Sequence, residues 1–131
     1  MADYISASDL TDKVINSFPS ATRTAKITLS TTALNDLAAT KGVDSDSIET
    51  DPVHYLVKQW CIAWVGMEIC FDHMGTNNNE FAEQEKYRIK YREYRERVND
   101  LTSQITPQVL YGSTDSIRDR ATVKMGILFR G

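Results

Sequence analysis

The chain has 131 residues, of which 41% are hydrophobic and 25% charged, and its formal net charge is −3. This length fits one domain with a modest core, and these fractions are those expected of an ordinary soluble protein. The longest apolar stretch, Trp60 to Phe71, is interrupted by Glu68 and is shorter than the roughly 20 residues that cross a bilayer. We therefore expect no membrane segment, and the acidic start MADYISASDL predicts no signal peptide.

Charge is distributed unevenly along the chain. Residues 1–85 contain 13 acidic and 5 basic residues, a net charge of −8, whereas residues 86–131 contain 5 acidic and 10 basic residues, a net charge of +5. This division indicates one of two arrangements. Either the second half binds a polyanion, or the basic part of one subunit meets the acidic part of another.

The first 40 residues predict two short helices with a loop between them. Leu10, Val14 and Phe18 recur at helical spacing and predict a helix over residues 9–18, which Pro19 ends. The next stretch, SATRTAKITLSTT, is rich in Ser, Thr and Ala and predicts a loop with a short extended piece. A second helix is expected over residues 32–40.

Residues 42–51 form an acidic segment, GVDSDSIETD, that predicts a linker. Gly42 is expected to end the preceding helix. The spacing of Asp44, Asp46 and Glu49 is superficially that of a calcium loop. The central glycine and terminal glutamate of an EF-hand are missing, so we expect no calcium site.

The third predicted helix is strongly apolar. Asp51 is expected to be its N-cap, Pro52 its first residue and Gly75 the residue after its end. A main stripe at three- and four-residue steps is expected to lie in the core, and it consists of Val53, Val57, Trp60, Trp64, Met67, Phe71 and Met74. A second stripe, expected to be covered by another helix or a neighbouring subunit, consists of Tyr55, Ile62 and Ile69.

A long fourth helix is predicted over residues 80–105, soon followed by Pro107. Its seam steps by four and three residues through Tyr87, Tyr91, Tyr94, Val98, Leu101 and Ile105. The short turn GTNNN between helices three and four predicts an antiparallel helix hairpin. The expected fold is therefore mostly α, a small helical bundle over residues 1–110, with an extended C-terminal arm over 111–131 that contains at most one strand at 122–129.

The residues that usually carry chemistry are few. Cys61 and Cys70 are nine residues apart, on opposite faces of the third helix and about 13 Å apart along its axis, so they predict reduced, buried thiols. His54 and His73 are too far apart to share a metal, and His73 with Cys70 makes only half a zinc site. No phosphate loop or nucleophile motif occurs. We expect no catalytic, metal or cofactor site.

The stretch KYRIKYREYRERV, residues 86–98, places three tyrosines on the seam and basic residues on both of its flanks. A buried tyrosine hydroxyl needs a partner at the core edge. Arginines beside an aromatic seam are typical of protein interfaces, where they pair with carboxylates. The alternative is a small helical nucleic-acid-binding protein that uses helix 86–97, together with basic residues of the tail.

Four stretches occur in order along the chain: SASDLTDKVINSF, DPVHYLVKQWCIAWVGMEICFDHMG, NEFAEQEKYRIKYREYRERVNDL and SIRDRATVKMGILFRG. In the order of these elements and in their residue character, the chain resembles the head–tail connector (adaptor) proteins of tailed bacteriophages. The resemblance implies a structural subunit of a virion ring, typically of twelve copies, at the head–tail junction, assembled in the host cytoplasm. Its partners would be further copies of itself, the portal protein and a tail or further connector protein. DNA would pass through the ring without specific recognition, and no membrane would be involved.

The resemblance also implies roles for particular residues. The arm from Ser116 to Gly131 would dock on the portal or a neighbour through Arg118, Arg120, Lys124, Ile127, Phe129 and Arg130. The helix pair would form the ring wall. An inter-subunit helix face is expected at Arg88, Arg92, Arg95 and Arg97, beside a packing seam of Tyr87, Tyr91, Tyr94, Val98, Trp60 and Trp64.

Overall fold

The computed structural model describes residues 3–74 and 81–112, and within those ranges the fold is a helical bundle without strands. An isolated bridge joins Thr50 and Val53. Short 3-10 helices span Ala7–Asp9 and Ser45–Ser47. The α-helices are α1 (Lys13–Asn16), α2 (Ser20–Thr40), α3 (Tyr55–Met74), α4 (Phe81–Gln104) and α5 (Pro107–Leu110).

Helix α3 lies at the centre of the bundle. It packs along α4 as the predicted hairpin, and α2 packs against another of its faces. The N-terminal segment, residues 3–18, contacts both α2 and α3. It is fastened to α2 by hydrogen bonds from the Tyr4 hydroxyl to Asn35 Oδ1 (2.5 Å) and from the Thr31 hydroxyl to Asp3 Oδ1 (2.9 Å). The predicted fold class is therefore confirmed.

The stretch expected to be a loop, residues 20–32, is the first half of α2, so this prediction was wrong. Pro19 precedes the helix as its cap residue, and its carbonyl accepts from the Arg23 amide. Serine and threonine lower helix propensity because their hydroxyls compete for backbone groups. Here the buried Ser30 hydroxyl donates to the Ile27 carbonyl at 2.6 Å, inside the helix. Packing of the buried Ile27 against the core then favours the helical form.

The first predicted helix, residues 9–18, is broken into a 3-10 turn and the single turn α1. The Asp12 carboxylate interrupts it by accepting from the Val14 amide at 2.8 Å, which makes Asp12 the N-cap of α1.

The start of α3 also differs from the prediction. The Asp51–Pro52 peptide bond is cis and the helix begins at Tyr55, four residues after the predicted cap. The ring Nδ1 of His54 accepts from the Leu56 amide at 3.0 Å and takes the capping role expected of Asp51.

The C-terminal part of the bundle is held by polar contacts between helix ends. Helix α4 agrees with the prediction to within one residue at each end, whereas Pro107 also begins α5. The Lys41 ammonium, just after α2, donates to the carbonyls of Thr102 and Ile105. These carbonyls belong to the end of α4, where backbone acceptors lack partners within the helix. The contact therefore ties the end of α2 to the end of α4.

Both cysteines are free and fully buried, as predicted. Burial raises the pKa of the Cys61 thiol to about 12 and that of Cys70 to about 11. The thiolate is the reactive form, and at pH 8 a thiol with a pKa of about 12 is ionised in about one molecule in ten thousand.

We therefore expect that iodoacetamide at pH 8 does not alkylate Cys61 or Cys70 in the folded protein. The reaction time is the time in which both thiols of the unfolded protein react completely. Mass spectrometry of native and urea-unfolded samples measures the difference. Rapid modification of the native protein at either thiol would contradict the buried placement.

Candidate interaction surface

The predicted seam of α4 forms the contact with α3. Tyr87, Tyr94 and Val98 are at most 9% exposed, while Tyr91 is half-buried. Gly66 of α3 makes room for the Tyr94 ring, because a Cβ atom at this position would lie 2.6 Å from the ring carbon Cε2. The two helices therefore approach closely where a side chain is missing.

The hydrogen-bond partner of the Tyr94 hydroxyl lies in the N-terminal segment. It donates to the carboxylate of Asp12, and the Lys90 ammonium lies 3.2 Å from the same oxygen. Burial, together with the hydrogen bond to Asp12, raises the pKa of Tyr94 above its ordinary value. The expectation that a seam tyrosine needs a polar partner at the core edge is confirmed.

The main stripe of α3 is buried at one end and exposed at the other. Trp60 is 5% exposed and its indole nitrogen donates to the Thr102 hydroxyl at 2.9 Å. Trp64 and Met67 are half-buried, and Phe71 is 52% exposed. The expected core position is therefore correct for Trp60 and wrong for Phe71.

The neighbours of α3 explain this gradient. Helix α4 covers the side of Gly66, and α2 covers the side of Glu68 and Asp72, where Lys26 forms ion pairs at 3.9 and 2.8 Å. The Lys41 contact closes the groove between α2 and α4 near Trp60, which bonds to Thr102. Towards the other end of α3 the groove is open, and Phe71 is exposed. The burial of the second stripe also varies along α3, since Ile69 is fully buried whereas Tyr55 is 68% exposed.

An exposed patch of aromatic and arginine side chains lies at the open end of the groove. The ring of Phe71 lies 5.6 Å from that of Tyr91, and Arg88 and Arg95 precede and follow Tyr91 by three and four residues on the same side of α4. Arg92 completes the patch. We call these five residues the arginine–aromatic face.

Two of its arginines have unused hydrogen-bonding capacity. Arg88 pairs with Glu85, whereas Arg92 and Arg95 are exposed and make no ion pair or side-chain hydrogen bond with any other described residue.

Arg97, expected on the same inter-subunit face as Arg88, Arg92 and Arg95, lies on the opposite flank of α4. Its guanidinium is 5.4 Å from the centre of the Tyr94 ring, close to the N-terminal segment. Lys90 lies on this flank as well, paired with Asp12. The basic stretch is therefore divided between two surfaces.

The acidic segment occupies the other end of the hairpin, before the start of α3. Its buried Val43 and Ile48 anchor it to the core, and the Glu49 amide donates to the Leu110 carbonyl at 2.9 Å. Its acidic side chains are all exposed: Asp44, Asp46, Glu49 and Asp51. Helix α3 has 20 residues, which span about 30 Å, so the acidic segment and Phe71 are well separated.

The predicted docking arm, with Arg118, Arg120, Lys124, Ile127, Phe129 and Arg130, lies outside the described residues. Within residues 3–74 and 81–112, no three His, Cys, Asp or Glu side chains come together to hold a metal ion. No helix in these ranges has the length and apolarity that crossing a membrane requires. Comparisons with models of protein families, with curated proteins and with solved structures find no match to this chain.

Sequence reasoning missed two features of these surfaces. Phe71 was expected in the core because a helical stripe does not show which part of it neighbouring helices cover. The role of Asp12 was not predicted, because its contacts with Lys90 and Tyr94 join residues 78 and 82 positions apart. One signal for this contact was present in the sequence, namely the expectation that a buried tyrosine on the seam needs a polar partner.

Proposed function

We propose that the chain is a structural subunit of a tailed-phage head–tail connector, in which identical copies form a ring between portal and tail. The observation that carries the proposal is a pair of unlike exposed surfaces on one subunit. The arginine–aromatic face lies at one end of the α3/α4 hairpin, and the acidic segment lies at the other.

Such a pair of surfaces favours a heterologous contact, in which one surface of a copy meets a different surface of the next. Heterologous contacts close into rings when the rotation between copies allows it. The two surfaces also complement each other in charge, because Arg92 and Arg95 lack carboxylate partners among the described residues, and Asp44 and Asp46 lack basic ones. Electrostatic complementarity of this kind gives register and specificity.

The composition of the arginine–aromatic face supports a protein partner. Arginine, tyrosine and phenylalanine are enriched at protein interfaces and at their energetic hot spots, where a guanidinium can bind a carboxylate with two hydrogen bonds. An exposed phenylalanine beside two uncompensated arginines gains from being covered by an acidic partner surface.

The second candidate is nucleic-acid binding by helix 86–97. Of the six basic residues, Lys90 is paired to Asp12, Arg97 lies over the Tyr94 ring and Lys86 lies over the Tyr87 ring. The exposed flank therefore presents the remaining three, Arg88, Arg92 and Arg95. Three phosphate contacts give a weaker salt dependence than six. The connector function therefore accounts better for the placement of these charges.

Charge reversal tests the heterologous contact. The double variants Arg92→Glu with Arg95→Glu, and Asp44→Lys with Asp46→Lys, are each expected to fail in assembling on the portal protein encoded in the same genome. Mixed together, they are expected to restore complexes in which the two variants alternate, as measured by native mass spectrometry. Lys13→Glu, an exposed change on α1, serves as the control that assembles normally.

Assembly of each double variant alone at the wild-type level would show that this contact is wrong. DNA affinity that falls steeply with salt, and that is lost on changing Arg88, Arg92 and Arg95, would favour the nucleic-acid function over the connector.

The arm is tested separately. Deleting residues 116–131 is expected to leave a helical protein that no longer joins portal complexes, because the arm would supply the docking contacts. Circular dichroism checks the fold and co-purification checks docking. If the truncated protein still joins portal complexes normally, the arm does not supply the docking contacts.

A further inference from the structure

A second surface with cationic side chains that form no ion pair within the described residues lies on the opposite flank of α4, away from the arginine–aromatic face. Here a cleft of about 520 Å³ opens between the N-terminal segment and the hairpin. Lys58, Gln59 and Ile62 of α3 line one wall, Arg97 of α4 lies beside them, and residues 8–12 form the other wall. The volume falls within the range of about 300–1,000 Å³ that is typical of ligand sites.

The cations of this cleft are free, whereas its carboxylates are engaged. Lys58 is half-buried, and neither it nor Arg97 forms an ion pair within residues 3–74 and 81–112. By contrast, Asp12 binds Tyr94 and Lys90, and the carboxylate of Asp9 accepts from the Ser6 amide at 2.9 Å. The unused binding capacity of the cleft is therefore for an anionic group.

The residues that line the cleft also indicate which kind of anion fits. Asp9 and Asp12 keep negative charge in the cleft, which disfavours the regularly repeated phosphates of a nucleic-acid backbone more than a peptide that enters with one carboxylate. Gln59 and Thr11 offer both donors and acceptors. A peptide also presents both, from its amides and carbonyls, and can place a single carboxylate between the two cations.

We propose that this cleft binds a short acidic peptide segment of a partner protein, with a carboxylate held by Lys58 and Arg97. The inference goes beyond the connector function and does not depend on it, because it uses a different face of the molecule. The contact between the Arg97 guanidinium and the Tyr94 ring, 5.4 Å to its centre, restricts the side chain, so less conformational freedom is lost when the ligand binds.

Fluorescence anisotropy with a labelled decapeptide of the sequence GVDSDSIETD tests the proposal. We expect the intact protein to bind this probe, and Lys58→Ala and Arg97→Ala each to weaken binding about tenfold, as expected for loss of a charge-assisted contact. A counterpart peptide with Asn for Asp and Gln for Glu should bind at least tenfold more weakly.

Lys13→Ala is the matched control, because it removes an exposed cation that does not line the cleft. It should bind the probe like the wild type, and circular dichroism should show that all three variants keep the helical fold. No binding of the acidic probe, equal binding of the amide peptide, or equal weakening by the control variant would overturn the proposal. Tighter binding of a labelled single-stranded oligonucleotide through Lys58 and Arg97 would overturn it as well.

Discussion

Replacing Gly66 by alanine is expected to lower the free energy of unfolding by about 1–2 kcal/mol, although alanine is the better helix former by about 1 kcal/mol. The added Cβ would lie 2.6 Å from the Tyr94 ring. This ring cannot move freely, because it is 5% exposed and its hydroxyl is bonded to Asp12. The helices α3 and α4 must then separate or the hydrogen bond must distort. Urea unfolding followed by circular dichroism measures the change.

The same substitution made in a Tyr94→Ala protein provides the control. With the ring removed, Gly66→Ala should raise stability by about 1 kcal/mol, the ordinary helix-propensity gain. The sign of the effect therefore reverses with the residue at position 94. Stabilisation by Gly66→Ala in the otherwise unchanged protein would contradict the close approach of the two helices.

Replacing Asp12 by alanine is expected to lower stability by about 2–3 kcal/mol at neutral pH. The change removes the cap of α1 and the ion pair with Lys90, and it leaves the Tyr94 hydroxyl without its acceptor. Tyr94→Phe should cost less, because it removes the hydroxyl and leaves the cap and the ion pair intact. Asp36→Ala, an exposed change on α2, should be nearly neutral.

The effect of Asp12 should depend on pH in a definite direction. Burial by itself raises the pKa of this carboxyl, but hydrogen bonds from Tyr94, Val14 and Lys90 together hold the pKa below its usual value. A lowered pKa in the folded state means that the carboxylate contributes fully above its unfolded pKa of about 3.9. This contribution is lost as the pH falls through the lower, folded pKa.

The stability difference between wild type and Asp12→Ala should therefore be constant from pH 7 to about 5 and narrow below about pH 4. Urea unfolding at a series of pH values measures it, with Asp36→Ala as the reference. A difference that stays constant down to the acid limit of folding would show that the charge of Asp12 contributes nothing.

The division of the basic stretch bears on what this helix can bind. If all six basic side chains of residues 86–98 lay on one face, non-specific attraction to DNA would dominate. The N-terminal segment instead engages Lys90 and lines a cleft together with Arg97, while Arg92 and Arg95 are exposed on the other flank. One helix thus offers two recognition surfaces with different surroundings.

The sequence by itself determined the hairpin and the seam of α4. The four-and-three spacing from Tyr87 to Ile105 lies on a helix rich in charged residues, so only one stripe could be buried, and the structure buries it with Tyr91 partly exposed. The reduced state of Cys61 and Cys70 followed in the same way, from helix geometry alone. These features depend on periodicity within one element, which a sequence shows directly.

Only the tertiary structure decided whether residues 20–32 are helical, where α3 is uncovered and which arginines remain free. Serine and threonine do not specify a helix locally, and burial of Ile27 against the bundle supplied the missing stability. The stripe of α3 is apolar throughout, but the fold buries Trp60 and leaves Phe71 exposed. Lys90 pairs with Asp12, which lies 78 residues away in the sequence. This pairing depends on chain topology and not on local spacing.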